Sequence, residues 1–130
     1  MFETDIKALL KEKGPGAAAQ RKVAQGLLAG EVLVDAKPLL RLHTAAGGFT
    51  PKKRAQLVAR RLNHAMECGL TSRDLRVASR NGETVVLAGT VLLVTADRAE
   101  ARSNRIAPHE LARIWRDRLA SALSGERATR

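Results

Sequence analysis

The chain has 130 residues, a formal net charge of +10 and one cysteine, Cys68. That length suits one domain with its own core, a hydrophobic fraction of 45% excludes a disordered chain, and a lone cysteine excludes an intramolecular disulfide. Aromatic residues make up only 2%, so the expected core is aliphatic, built from Leu, Val, Ile and Ala.

Residues 1–29 predict a helical arm. Phe2, Ile6, Leu9 and Leu10 fall at helical spacing, Gly14-Pro15-Gly16 interrupts the rhythm, and an Ala-rich stretch from Ala17 to Leu28 resumes it until Gly30. Glu3, Asp5, Lys7, Lys11 and Glu12 break up the apolar positions, so no signal peptide is expected. No stretch approaches the ~18 apolar residues of a membrane span. The expected setting is the cytoplasm.

A single α+β domain is expected over 30–125, with a loose tail at 126–130. It opens with a hairpin from Glu31 to His43, turning at Asp35-Ala36-Lys37, and Pro38 places the return strand at a sheet edge because it has no N–H to give. Ala45-Ala46-Gly47-Gly48 predicts a flexible joint. Thr50-Pro51 then starts a helix, with Thr as N-cap and Pro in the first helical position. Ala55, Val58, Leu62, Ala65 and Met66 form its buried stripe, and Gly69 its C-terminal cap.

Three strands follow. Leu75 to Arg80 alternates Leu75 and Val77 against Arg76, Ala78 and Arg80. Asn81-Gly82 suits a type I′ turn, since both central residues need positive φ, and leads into Glu83 to Ala88. Gly89-Thr90 turns the chain again into Val91 to Thr95. Asp97 to Ala107 predicts a charged connection. Ala107-Pro108 opens a last helix with Leu111, Trp115, Leu119 and Ala122 on one face. The expected order after the arm is β-β-α-β-β-β-α: one antiparallel sheet of about five strands with two amphipathic helices on one face.

The stretch from about Val32 to Leu123 resembles the soluble N-terminal region that precedes the membrane helices in some bacterial proteins of the small-conductance mechanosensitive channel family. The matching residues are Val-Leu-Val-Asp-x-Lys-Pro-Leu at 32–39, Phe49-Thr50-Pro51 leading to Arg54-Ala55 and Arg61-Leu62, and Leu75-Arg76-Val77. They continue with Ala-Gly-x-x-Leu-Leu-Val-Thr at 88–95, Asp97 with Ala99 and Ala101, and Leu111-Ala112 before Trp115. The resemblance implies an accessory or sensory domain outside the cytoplasm, without catalysis. The chain departs from it in lacking membrane helices and a signal peptide and in being strongly basic, so the fold is what the resemblance carries over.

Catalytic signals are thin. The histidines are His43, His64 and His109. His64 and Cys68 are four apart and could share a helix face, as an imidazole-activated thiol requires, but nothing orients the imidazole. The bland reading is a buried small thiol beside a surface histidine. The same pair lacks two further ligands for a metal. Asp97 and Glu100 could sit as paired carboxylates, yet their spacing equally fits solvated charge at a helix start. Gly47-Gly48 ahead of Thr50 could offer N–H groups to an anion, with Lys52 and Lys53 adding charge, or be a plain hinge. The expectation is a protein that is not an enzyme and holds no metal or cofactor.

Charge is the most informative signal because it is uneven. Residues 51–82 hold eight basic groups against two acidic ones. Lys52, Lys53, Arg60, Arg61, Arg73, Arg76 and Arg80 are the candidate nucleic-acid-binding residues, since Arg and Lys side chains suit phosphate oxygens. Few aromatics are left for base stacking, which points to duplex, backbone-directed contact without strong sequence readout. The competing readings are a merely solvated basic face and an acidic protein partner. A homodimer through an uncovered sheet face or edge is compatible with either.

Overall fold

A computed structural model describes residues 23–26 and 28–124 of the chain. Strand β1 (Val23–Gln25) pairs antiparallel with β2 (Glu31–Val34), and β2 with β3 (Lys37–Arg41). The expected hairpin is present, and Pro38 lies on an edge strand as its missing N–H requires. Its turn is Asp35-Ala36, at φ 53 and 69. Alanine resists that left-handed region, so the tight connection and the pairing around it hold it there.

The helical arm expected over 1–29 is corrected where it can be seen. Val23, Ala24 and Gln25 are extended and pair with Val34, Leu33 and Val32. Alanine-rich helix propensity is worth a few tenths of a kcal/mol per residue, and a ladder on a half-buried strand outweighs it. Gly30 turns the chain between β1 and β2 at φ +85, and a Cβ there would collide with the Leu42 carbonyl oxygen. The rest of the arm, residues 1–22, and the tail at 126–130 lie outside the described residues.

Helix α1 (Pro51–Glu67) starts as the sequence predicts. The Thr50 side chain accepts from Lys53 N, and Pro51 occupies the first turn. Its buried stripe is the expected Ala55, Val58, Leu62, Ala65 and Met66, joined by two unexpected members, Ala59 and Arg54. A short 3₁₀ turn at Ser72–Asp74 leads into β4 (Leu75–Arg80), β5 (Glu83–Ala88) and β6 (Val91–Ala96). These pair in order as an antiparallel meander, with Asn81 and Gly82 at φ 53 and 81 in the first turn. Two helices finish the described chain, α2 (Arg98–Ser103) and α3 (Pro108–Ser124). α2 lies inside the stretch expected to be a charged connection.

The expected α+β class with antiparallel pairing holds, but the expectation of about five strands in one sheet does not. There are two three-stranded sheets among the described residues, β1-β2-β3 and β4-β5-β6. The two long helices contact different sets of strands. α1 packs on β1 and β2 of one sheet and on β6 of the other, while α3 lies across β4, β5 and β6 and touches β3. One continuous core results, holding Val32 and Leu42 from the first sheet, Leu62 from α1, Val86 and Leu93 from the second sheet, and Trp115 and Leu119 from α3. It is aliphatic as composition requires, with Trp115 its one aromatic member among the described residues.

Candidate functional site

The basic residues divide by element. On α1, Lys52, Lys53 and Arg60 are exposed, and Lys53 and Arg60, seven apart, fall on one stripe of the helix. None of the three makes an ion pair among the described residues. Arg61 is half-buried on the flank of α1 and lines a cavity. Arg73 is exposed in the 3₁₀ turn. Arg76 and Arg80 are exposed on one face of β4, where Arg76 donates to the Gly89 carbonyl at 3.4 Å. β5 separates β4 from β6, the strand that α1 packs on, so these two arginines stand roughly 10 Å of sheet away from the helix's neighbour strand. The structure therefore groups Lys52, Lys53 and Arg60 and sets the other four apart from them.

The eighth basic residue of that segment, Arg54, has another fate. It is 7% exposed. Its two terminal nitrogens donate to the Thr44 carbonyl at 2.8 Å, the Thr95 carbonyl at 3.1 Å and Asp97 Oδ1 at 2.8 Å, with Glu100 Oε1 at 3.4 Å. Glu100 is fully buried. Its carboxylate accepts from the backbone N–H groups of His43 and Thr44, from the Thr44 hydroxyl at 2.8 Å and from the Asn104 amide at 3.3 Å. His43 Nδ1 lies 3.1 Å from Glu100 Oε2, and since a carboxylate only accepts, that ring nitrogen carries the proton. Burial pushes the Glu100 carboxyl up, but the hydrogen bonds from His43 and Thr44 outweigh it and hold the group below its ordinary range.

This cluster ties the chain after β3 to α1 and α2, and sequence reasoning missed it. Asp97 and Glu100 read there as solvated charge; Glu100 is instead the most enclosed carboxylate described. One signal was available. Asp97 and Glu100 have the N-cap and N3 spacing of a helix start, and Asp97 Oδ2 does accept from Glu100 N at 3.2 Å. That spacing locates α2. Nothing local says that the Glu100 side chain turns inward.

The remaining candidates resolve plainly. Gly47-Gly48 is a tight turn closed by Ala46 and Phe49, each donating its N–H to the other's carbonyl at 3.0 and 2.9 Å, rather than a flexible joint. The α1 N-terminus has little left for an anion, because Pro51 has no N–H, Thr50 Oγ1 takes the Lys53 N–H and the Thr50 carbonyl takes the Arg54 N–H. Cys68 is exposed, not buried, with its sulfur 3.7 Å from His64 Nε2, and His64 is exposed as well. Both sit exposed at the C-terminal end of α1. No group of three or more His, Cys, Asp or Glu among the described residues could hold a metal ion, and no described helix is long and apolar enough to cross a membrane.

A cavity of about 230 Å³ opens between α1 and β6 beside the 46–49 turn. Leu57, Val58, Leu92 and Val94 give it an apolar floor, and Phe49, 43% exposed, stands in its wall. Arg61 from α1 and Glu83 from β5 also line it, with Arg54 and Asp97, which are already paired with each other.

No curated protein and no solved structure matches the chain. The model of one family, described as Domain of unknown function (DUF8459), matches residues 31–126, which take in everything from the first residue of β2 to the end of α3, and the chain belongs to that family.

Proposed function

We propose that this chain is a non-enzymatic, cytoplasmic binding module that contacts nucleic-acid phosphates through the exposed side of α1. The observation that carries the reading is the set of unpaired cations on that helix. Lys52, Lys53 and Arg60 face solvent without a carboxylate partner, and Gln56 and Asn63 lie among them as further hydrogen-bond groups. Cations held free in this way release counterions when they meet a polyanion. A smooth helix face without exposed aromatics reads backbone rather than base edges. Arg73, Arg76 and Arg80 extend the contact only to a partner long enough to reach across the β4–β6 sheet.

Salt titration of binding to duplex DNA and duplex RNA, followed by fluorescence anisotropy, tests the reading. Three phosphate contacts predict a log–log salt slope of about −3, and all seven cations one of about −6. Replacing Lys52, Lys53 and Arg60 together with Gln should abolish most of the binding. Absence of binding at low salt overturns the proposal. Exposed Phe49 favours a second reading, the accessory protein-interaction domain that the channel-family resemblance implies. That reading predicts a protein partner, acidic or a second copy, whose binding survives the triple substitution.

A further inference from the structure

The cavity beside α1 lies outside the phosphate-binding reading, and its chemistry argues for a different ligand. It holds charge of both signs. Arg54 and Asp97 satisfy each other at 2.8 Å. Arg61 and Glu83 do not: they line the same small space from α1 and β5, and neither makes an ion pair or a side-chain hydrogen bond among the described residues. A polyanion gains little there, because Asp97 and Glu83 balance the charges of Arg54 and Arg61. Leu57, Leu92 and Val94 add an apolar floor to the same space. The volume of about 230 Å³ falls below the roughly 300–1,000 Å³ of drug-sized sites.

A ligand that satisfies this lining is small, carries one carboxylate and one ammonium, and has an apolar group. We infer that the cavity is a binding site for an apolar α-amino acid, its carboxylate on Arg61, its ammonium on Glu83 and its side chain against Leu57, Leu92 and Phe49. The guanidinium fork is the protein group best matched to a carboxylate, in the bidentate geometry that gives the strongest such contacts. Desolvation against the aliphatic floor strengthens the ionic contact of half-buried Arg61 relative to open water. Phe49 closes one side with an aromatic surface held by the 46–49 turn.

The test is thermal unfolding of the full chain with L-leucine, L-isoleucine or L-phenylalanine at millimolar concentration, paired with NMR shifts of the Leu57, Leu92 and Val94 methyl groups. A ligand that binds only the folded state raises the melting temperature in a concentration-dependent way. The expected result is a rise of several degrees with at least one of the three, and methyl shifts confined to the cavity. Leucinamide lacks the carboxylate and N-acetyl-leucine lacks the ammonium, so neither should produce the rise. L-serine should not either, since it leaves the floor uncovered. Arg61→Gln and Glu83→Gln should each abolish the rise while leaving the ligand-free melting temperature unchanged. No rise and no methyl shift with any of the three overturns the inference. An equal rise with N-acetyl-leucine, leucinamide or L-serine overturns it too, because the recognition would then not be of an apolar zwitterion. Duplex binding through Lys52, Lys53 and Arg60 is measured separately, so the two readings fail independently.

Discussion

Arg54 and Arg60 are six residues apart on one helix and share nothing else. Arg54 is buried, and its guanidinium spends its donors on two backbone carbonyls and two carboxylates. Arg60 is exposed and pairs with nothing among the described residues. The difference follows from helix geometry. Arg54 sits beside the buried stripe, where α1 meets the chain after β3 and the end of β6, whereas Arg60 points away from it. Two positive charges that count alike in the sequence therefore differ in kind. One is internal and neutralised by Asp97 and Glu100, which lie outside the basic segment. The other is available to a partner. The charge that matters for binding is the charge left after the fold has used its share.

Removing Arg54 should break the comparison most sharply. Arg54→Ala leaves Asp97 and buried Glu100 without their cation, and truncating one member of a buried ionic set costs about 3–5 kcal/mol. Urea unfolding should show that loss in the midpoint, and a cost below about 1 kcal/mol would mean that the cluster is not a unit. Glu100→Gln keeps the shape but cannot accept from every donor around it. A loss of about 1.5–3 kcal/mol is expected, as for hydrogen bonds to a charged group.

The same carboxylate predicts a pH dependence. Glu100 is held below its ordinary range in the folded state, so the unfolded chain takes up the proton first as the pH falls. Its contribution is complete above the unfolded carboxylate value of about 4.3 and drains away as the pH drops through the lower folded value. Denaturation curves collected from neutral to strongly acid pH should fall more steeply for the natural chain than for Glu100→Gln. Parallel curves would show that other carboxylates carry the acid sensitivity.

Smaller effects sharpen the contrast at the start of the helix and on its outer face. Thr50→Ala removes the side chain that accepts from Lys53 N and should cost about 1 kcal/mol without altering duplex binding. Arg60→Gln should shift stability by no more than about 0.5 kcal/mol. It should nevertheless reduce the salt slope of duplex binding by about 0.9. A stability loss at Arg60 comparable with that at Arg54 would erase the distinction between the two arginines.

Much of the fold is written locally. Thr50-Pro51 and Ala107-Pro108 open helices where expected, and the Asn81-Gly82 and Gly89-Thr90 turns separate strands that match their expected extent to within one residue. Each signal depends on a few neighbouring residues and on steric limits at the backbone. The alternation of Leu75 and Val77 with Arg76 and Arg80 likewise fixes which face of β4 is wet. Val23–Gln25 shows where local reading fails, because its strand state comes from pairing with β2 and not from its own composition.

What only the tertiary structure decided is distant in sequence. Glu100 bonds His43 across 57 positions and Arg54 across 46. No periodicity within a helix or strand encodes such a meeting. The division into two sheets is likewise a matter of which strands meet in space, with α1 contacting β2 of one and β6 of the other. The same holds for Arg61 and Glu83, which face one cavity from different elements. The sequence by itself determined the elements, the aliphatic core and the excess of positive charge, because propensity, burial pattern and composition act over short range or as sums. The fold decided which of those charges is buried, which lines a cavity and which faces solvent, because burial and pairing are properties of surfaces that come together only when the chain has packed.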